Sequence, residues 1–245
     1  MPNERLRAAL FERGLTPSAL GQELGVDQKT VQRWIAGRVP YRRHRYALAS
    51  RLRVDETYLW PGALSRDQIA AMSEGEVLAI YPHRSDVPRD VWERLFASAE
   101  REIGVLVYAG LFLAEDAGLQ GSLSKKAQSG VRVRMLLGDP DSQQVADRGL
   151  DEGIDDAMAA KIRNVLVLYK ELRAMPGAEF RLHNTILYNS IYRSDDQLLV
   201  NMHMHGVPAA RAPAWHLRRM PGAEIAVGYL ESFERVWAGA APIPE

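Results

Sequence analysis

The 245-residue sequence predicts two domains of different class, an all-α front end joined to an α/β sandwich with a largely parallel sheet. Three observations predict it. Charge is divided unevenly: residues 1–60 hold eleven Lys and Arg against six Asp and Glu, leaving twenty against twenty-five of the totals of 31 and 31 for the remainder. Apolar residues in the front end fall at i, i+4 spacing on either side of Gly25, as in two short helices with a tight turn. Beyond Pro88, amphipathic stretches alternate with short apolar runs, the pattern of helices packed on a sheet.

In the front end, Leu6, Leu10 and Phe11 give a first helix its apolar face. Thr16 and Pro17 start a second helix with a side-chain oxygen for its free N–H groups and a ring already set to helical φ. Asp27 starts the third, its carboxylate favoured by the helix dipole. Leu20 and Leu24 face Val31 and Ile35 across the turn, and Tyr46, Leu48, Ala49 and Leu52 supply the fourth helix.

The boundaries predicted are 1–64 for this domain, 65–85 for a connector mixing a short helical pattern with Pro and Gly, and 86–245 for the second domain. In the latter, "VPRDVWERLFASAEREIGVLVYAG" reads as a Pro-started helix and a buried strand near Ile103 to Tyr108, and "GSLSKKAQSGVRVRMLLGDPDS" as helix and strand Val131 to Leu137. A long helix follows across "DAMAAKIRNVLVLYKELRA". Then come one unusually long strand, "EFRLHNTILYNSIYR", an acidic turn and a strand "QLLVNMHMHG". In the closing helix Tyr229, Phe233 and Trp237 recur every four residues as a packing stripe.

With no cysteine, disulfide frameworks and thiolate metal sites are excluded, consistent with a reducing compartment. Charges interrupt the N-terminal stretch where a signal peptide needs an apolar core. The longest apolar run, residues 104–114, is far shorter than the roughly 20 residues that span a bilayer. The expectation is a cytoplasmic, nucleoid-associated protein without a membrane partner. No repeat or low-complexity tract is visible.

The stretch "LGQELGVDQKTVQRWIAGRVP" resembles the helix-turn-helix of the phage-repressor and xenobiotic-response-element family, over about the first 60 residues. The resemblance implies double-stranded DNA as partner, with the third helix in the major groove and Gln28, Lys29, Thr30, Gln32 and Arg33 facing bases and nearby phosphates. Arg38, Arg42 and Arg43, with His44 and Arg45, cluster at the next helix start, where phosphate contacts would fix the register. Solvated faces on a protein-binding domain are the alternative. Trp34 reads as packing between helices.

Residues 86–240 resemble one repeat of the phospholipase D-like nuclease fold, by element order and by "GVRVRMLL". In that family a histidine attacks phosphorus, a lysine two residues on holds the phosphate oxygens, and an aspartate seven residues after the histidine supports the site. Single-motif members dimerise across it. Here His183 is followed by Thr185 and Ser190, and no His-x-Lys occurs anywhere. One lost preorganised donor typically costs roughly 100- to 1,000-fold in rate, so no catalytic residue is assigned.

A cleft remains conceivable, because period two puts His183 with Thr185, and Asn201 with His203 and His205. His183, Thr185, Asn201, His203 and Arg193, with Arg134 near, would suit a small polar or phosphorylated effector of unknown identity. Alternatively these groups satisfy one another at a homodimer interface. His203 and His205 have metal-ligand spacing but no evident third ligand; neither metal nor cofactor is expected.

The pairing of these two domains, with "YPHR", "LLGDPDS" and "LYNSIYR" and an excess of 26 Arg over 5 Lys, resembles a recurrent type of actinobacterial transcriptional regulator. The expected function is sequence-specific DNA binding by a dimer whose degenerate phospholipase D-like domain senses an effector. The alternatives are a DNA-targeted phosphodiesterase or nuclease using His183, and a constitutive DNA-binding scaffold without ligand.

Overall fold

The computed structural model describes residues 2–60 and 75–243, without the side chains of Arg42 and Thr57. The chain divides into two compact units, residues 1–74 with 220–223, and 75–219 with 224–245. Each has its own apolar core.

The first unit holds five helices among its described residues: α1 (Glu4–Glu12), α2 (Pro17–Leu24), α3 (Gln28–Ile35), α4 (Arg42–Leu52) and α5 (Glu56–Leu59). The caps are the residues whose chemistry suits them. Thr16 Oγ1 accepts from Ala19 N–H at 3.1 Å, and Asp27 Oδ1 accepts from Thr30 N–H at 3.1 Å. Gly25 ends α2 at φ 66°, a left-handed conformation that costs glycine little. A Cβ on Gly21 would stand 2.7 Å from the Val26 carbonyl oxygen, so the turn closes only over glycine.

Leu6, Leu20, Val31, Leu48 and Leu52 are wholly buried, and Trp34 joins them with its ring 5.5 Å from that of His44. Two residues assigned to apolar faces are not there: Phe11 is 87% and Tyr46 72% exposed. Both occupy helix positions one residue off the buried stripe.

The second unit is an eight-stranded sheet, ordered β1-β7-β6-β5-β2-β3-β4-β8. Its strands are β1 (Val77–Tyr81), β2 (Glu102–Leu106), β3 (Arg132–Gly138), β4 (Ala178–His183), β5 (Asn189–Ser194), β6 (Gln197–Met202), β7 (Ala214–Arg218) and β8 (Ala241–Pro242). The helices are α6 (Arg89–Ala97), α7 (Leu111–Glu115), α8 (Ala117–Gln128), α9 (Gln143–Asp151), α10 (Ala157–Leu168), α11 (Lys170–Arg173) and α12 (Ile225–Gly239).

The structure corrects the sequence reading in three places. The sheet is mixed: only β2, β3 and β4 run parallel, and the other pairings are antiparallel. The single long strand is two strands that do not pair. β4 lies beside β3 while β5 crosses to the far side of β2, because residues 184–188 carry the chain over the strand ends. The connector drawn to residue 85 also ends too late. Val77–Tyr81 is an edge strand on β7, and both Glu76 carboxylate oxygens accept from the first amides of α12, Ile225 and Ala226, at 3.0 and 2.9 Å. Residues 65–74 of that connector lie outside the described residues.

Two layers cover the sheet. On one face α12 lays Phe233 against Gly104, with Trp237 stacked beyond it. On the other, Trp92 of α6 meets Tyr192 of β5 edge-on, ring centroids 4.8 Å apart. Strand alternation therefore assigns Gly104, Arg134 and Arg193 to the α12 face, and Val105, Ser190 and Tyr192 to the opposite one.

Candidate functional site

The sequence-predicted cleft residues do not converge. His183 ends β4 only 2% exposed, with both ring nitrogens engaged by backbone. Its Nε2 lies 3.1 Å from the Val107 carbonyl, which can only accept, so the proton is on Nε2; Nδ1 then accepts from Thr185 N–H at 3.3 Å. Neither nitrogen keeps a free lone pair for attack. Burial pushes its pKa below the ordinary histidine range.

Thr185 is exposed and borders a separate groove of about 290 Å3 on the α12 face, with Leu106, Ser232 and Val236. Asn201 is fully buried, its amide nitrogen donating to the Ala212 and Pro213 carbonyls at 3.2 and 3.1 Å. Arg193 belongs to an ion cluster on the α12 face, pairing with Glu102 at 2.7 Å and Glu234 at 2.8 Å. Arg134, 4% exposed, joins the same two carboxylates and lies over the Phe233 and Trp237 rings, 4.9 Å from each centroid. Hydrogen bonding from Arg134 leads in pulling the Glu234 carboxyl down to about 2. On one continuous strand Arg193 would share the phase of His183 and Thr185; the break between β4 and β5 removes that relation.

His203 alone of the predicted set reaches a cavity of about 300 Å3 at the C-terminal end of β2. Its Nδ1 faces the Leu187 carbonyl at 3.1 Å and so carries the proton. Nε2 must then accept, and the Ser190 hydroxyl donates to it at 3.0 Å. Burial first, and the nearby Arg148 second, push His203 down to about 4, so it is neutral at physiological pH.

Tyr108 binds this wall together. Its ring stacks on His203 at 5.9 Å and tilts against His183 at 6.0 Å, while its hydroxyl accepts from Leu187 N–H at 3.0 Å. The cavity is also lined by Arg84, its guanidinium 3.8 Å over the Phe112 ring, and by Met158 and Lys161, one turn apart on α10. Arg148 lines it too, paired with Glu152 at 2.8 Å and donating to the Val207 carbonyl at 3.2 Å.

Sequence reasoning missed Tyr108, Arg84, Arg148 and Lys161. Only Tyr108 carried a signal, its place just past a buried strand where α/β folds gather ligands. His205 is exposed and faces Asp151 at 3.5 Å, and no group of three or more His, Cys, Asp or Glu that could hold a metal occurs among the described residues.

In the first unit, Gln28, Lys29, Gln32 and Arg33 form an exposed face of α3, and Arg38 and Arg43 are exposed beside it. Thr30 is half-buried, its hydroxyl donating to Asp27 Oδ2 at 3.1 Å. A groove of about 360 Å3 runs among Thr30, Arg33, Arg38, Tyr41, Arg43 and His44. Arg45 is held by Glu56 at 2.6 Å, whereas no carboxylate among the described residues pairs with Lys29, Arg33, Arg38 or Arg43. The Arg42 side chain lies outside the described residues.

No protein-family model and no curated protein matches the sequence. Among solved structures the chain is similar to TrmBL2, an archaeal chromatin protein described as showing a novel mode of DNA binding, at 13% identity and TM-score 0.44, over 82% of this chain and 62% of that one. It is similar to Nuc, a phospholipase D family member from Salmonella typhimurium, at 17% identity and TM-score 0.39, over 64% of this chain and 91% of that one. It is also similar to phosphatidylserine synthase from Haemophilus influenzae Rd KW20, at 13% identity and TM-score 0.42, over 64% and 37%. The chain thus spans less than two thirds of the archaeal protein's length. No helix among the described residues is long and apolar enough to cross a membrane.

Proposed function

We propose that this chain is a sequence-specific DNA-binding transcriptional regulator that works as a homodimer, with its second unit pairing the protomers and sensing a small effector. One observation carries the reading. α3 presents Gln28, Lys29, Gln32 and Arg33 to solvent, flanked by Arg38 and Arg43, and none of these cations forms an ion pair with a carboxylate among the described residues. Gln and Arg match base edges in the major groove, and unpaired cations beside them match phosphates. A single short helix reads few bases, so two copies on half-sites one helical turn apart would supply the affinity.

The pairing surface we assign is the loop 184–188, where Ile186 and Tyr188 are 61% and 79% exposed beside the groove along α12. The effector site is the His203 cavity rather than the one expected around His183. Phosphodiester cleavage is not part of the proposal, because His183 offers no free lone pair.

The test is a competition gel shift with operators selected from a random pool. The selected duplex should outcompete random DNA, and affinity should fall steeply as salt rises. Equal affinity for both, or turnover of a phosphodiester that vanishes in His183→Ala, would overturn the proposal.

A further inference from the structure

The cavity beside His203 has one more positive charge than its walls neutralise. Five charged side chains line it: Arg84, Arg148 and Lys161 against Glu115 and Glu152. Arg148 and Glu152, both nearly buried, neutralise each other through their ion pair. Of the lining carboxylates only Glu115 is then left against Arg84 and Lys161, and neither cation forms an ion pair with a carboxylate among the described residues. His203 adds no charge, since burial and then the Arg148 cation keep it neutral.

Apolar side chains make up much of the rest, Leu111, Phe112 and Met158 with Ala209 and Ala210, beside the polar groups of Tyr108, Ser190, Tyr192 and His203. At about 300 Å3 the space stands at the small end of ligand sites, which run from roughly 300 to 1,000 Å3. A neutral guest would leave the positive charge unanswered, and a dianion would leave a surplus negative charge beside Glu115. A phosphodiester monoanion would balance the charge, but its ester oxygens would meet Leu111 and Met158 without donors, and unpaired buried polar atoms are costly.

Resting on the reading of this cavity as the effector site, we propose that it binds a small organic carboxylate with one flat or branched apolar body. The carboxylate lies between Lys161 and the free edge of the Arg84 guanidinium, whose face is taken by Phe112. The body lies among Phe112, Leu111 and Met158. Ser190 contributes a hydroxyl whose proton is committed to His203, so its oxygen repels a carboxylate that enters head first. That fixes the orientation, with the head toward Lys161 and the body toward the strand ends.

The experiment is titration calorimetry of the full chain, without DNA, against phenylacetate, isovalerate and cinnamate, with benzyl alcohol and inorganic phosphate as comparators. At least one carboxylate should bind more tightly than both comparators. Lys161→Glu should weaken that binding about tenfold or more, the loss of one charged hydrogen bond, while Lys161→Arg retains it. Lys161 sits half-exposed on a helix, and unchanged melting of the uncomplexed variants would confirm that they fold. No heat from any carboxylate, binding of benzyl alcohol or phosphate as tight as the best carboxylate, or equal carboxylate binding by Lys161→Glu would each overturn the inference. Because no DNA is present, loss of operator recognition would count against the regulatory reading and leave this one standing.

Discussion

At the scale of single residues, two histidines of one unit are held in opposite tautomers by backbone carbonyls: His183 protonated on Nε2, His203 on Nδ1. Both are depressed by burial, so protons bind the unfolded chain in preference. For His203 the folded value is about 4 against an ordinary 6.5, and its contribution is complete above 6.5 and lost as pH falls toward 4. Glu234, at about 2 against 4.5, has the same sign in a lower window. The second unit should therefore lose melting temperature in two stages on acidification. His203→Gln should flatten the first stage and Glu234→Gln the second; identical profiles for the wild type and both variants would refute the assignment. Glu102→Gln would leave Arg134 buried beside a weaker partner and should cost about 3–5 kcal/mol in urea unfolding.

These residues also show why the site was only partly legible. His203 could be named because its residue type and strand phase were both visible. The sealing of His183 could not, since the Val107 carbonyl that accepts its hydrogen bond is 76 residues away in sequence. Lys161 and Arg84 look like any solvated cation until the fold sets them across one cavity.

At the scale of elements, the capping and apolar-spacing signals around α2 and α3 were local, and the helices stand where they pointed. The sheet was less legible, because an apolar run does not say which neighbour it pairs with. "EFRLHNTILYNSIYR" looks continuous although His183 and Asn189 flank a crossing between strands that do not touch. On α3, side-chain direction separates two roles. Gln32→Ala should relax base preference at one operator position by about 1–3 kcal/mol, while Arg43→Ala should weaken all sequences alike and shallow the salt slope. Uniform weakening by both in selected-pool sequencing would overturn the division.

At the scale of the whole molecule, separate cores predict that the second unit folds alone, provided its boundary is right. A fragment beginning at residue 75 keeps β1 and the Glu76 cap of α12; one beginning at residue 86 loses both. The longer fragment should melt higher, with the lost cap alone costing about 0.5–2 kcal/mol. It should also sediment as a dimer at micromolar concentration, whereas Tyr188→Glu should yield monomer if residues 184–188 form the interface. A wild-type monomer would remove the pairing surface from the proposal.

The position of β1 also imposes an order in time. Val77 pairs with Leu217, roughly 140 residues downstream, so at about 5–20 residues per second a ribosome needs on the order of ten to thirty seconds to deliver the partner strand. The five helices of the first unit, α1 to α5, are made before that wait begins, whereas Leu78 and Ile80 emerge as an unpaired edge. Nascent chains arrested before residue 214 should be cut by protease within 77–81 and spared once β7 has cleared the exit tunnel. Biosynthesis thus delivers the five helices of the first unit while the sheet of the second still lacks an edge pairing.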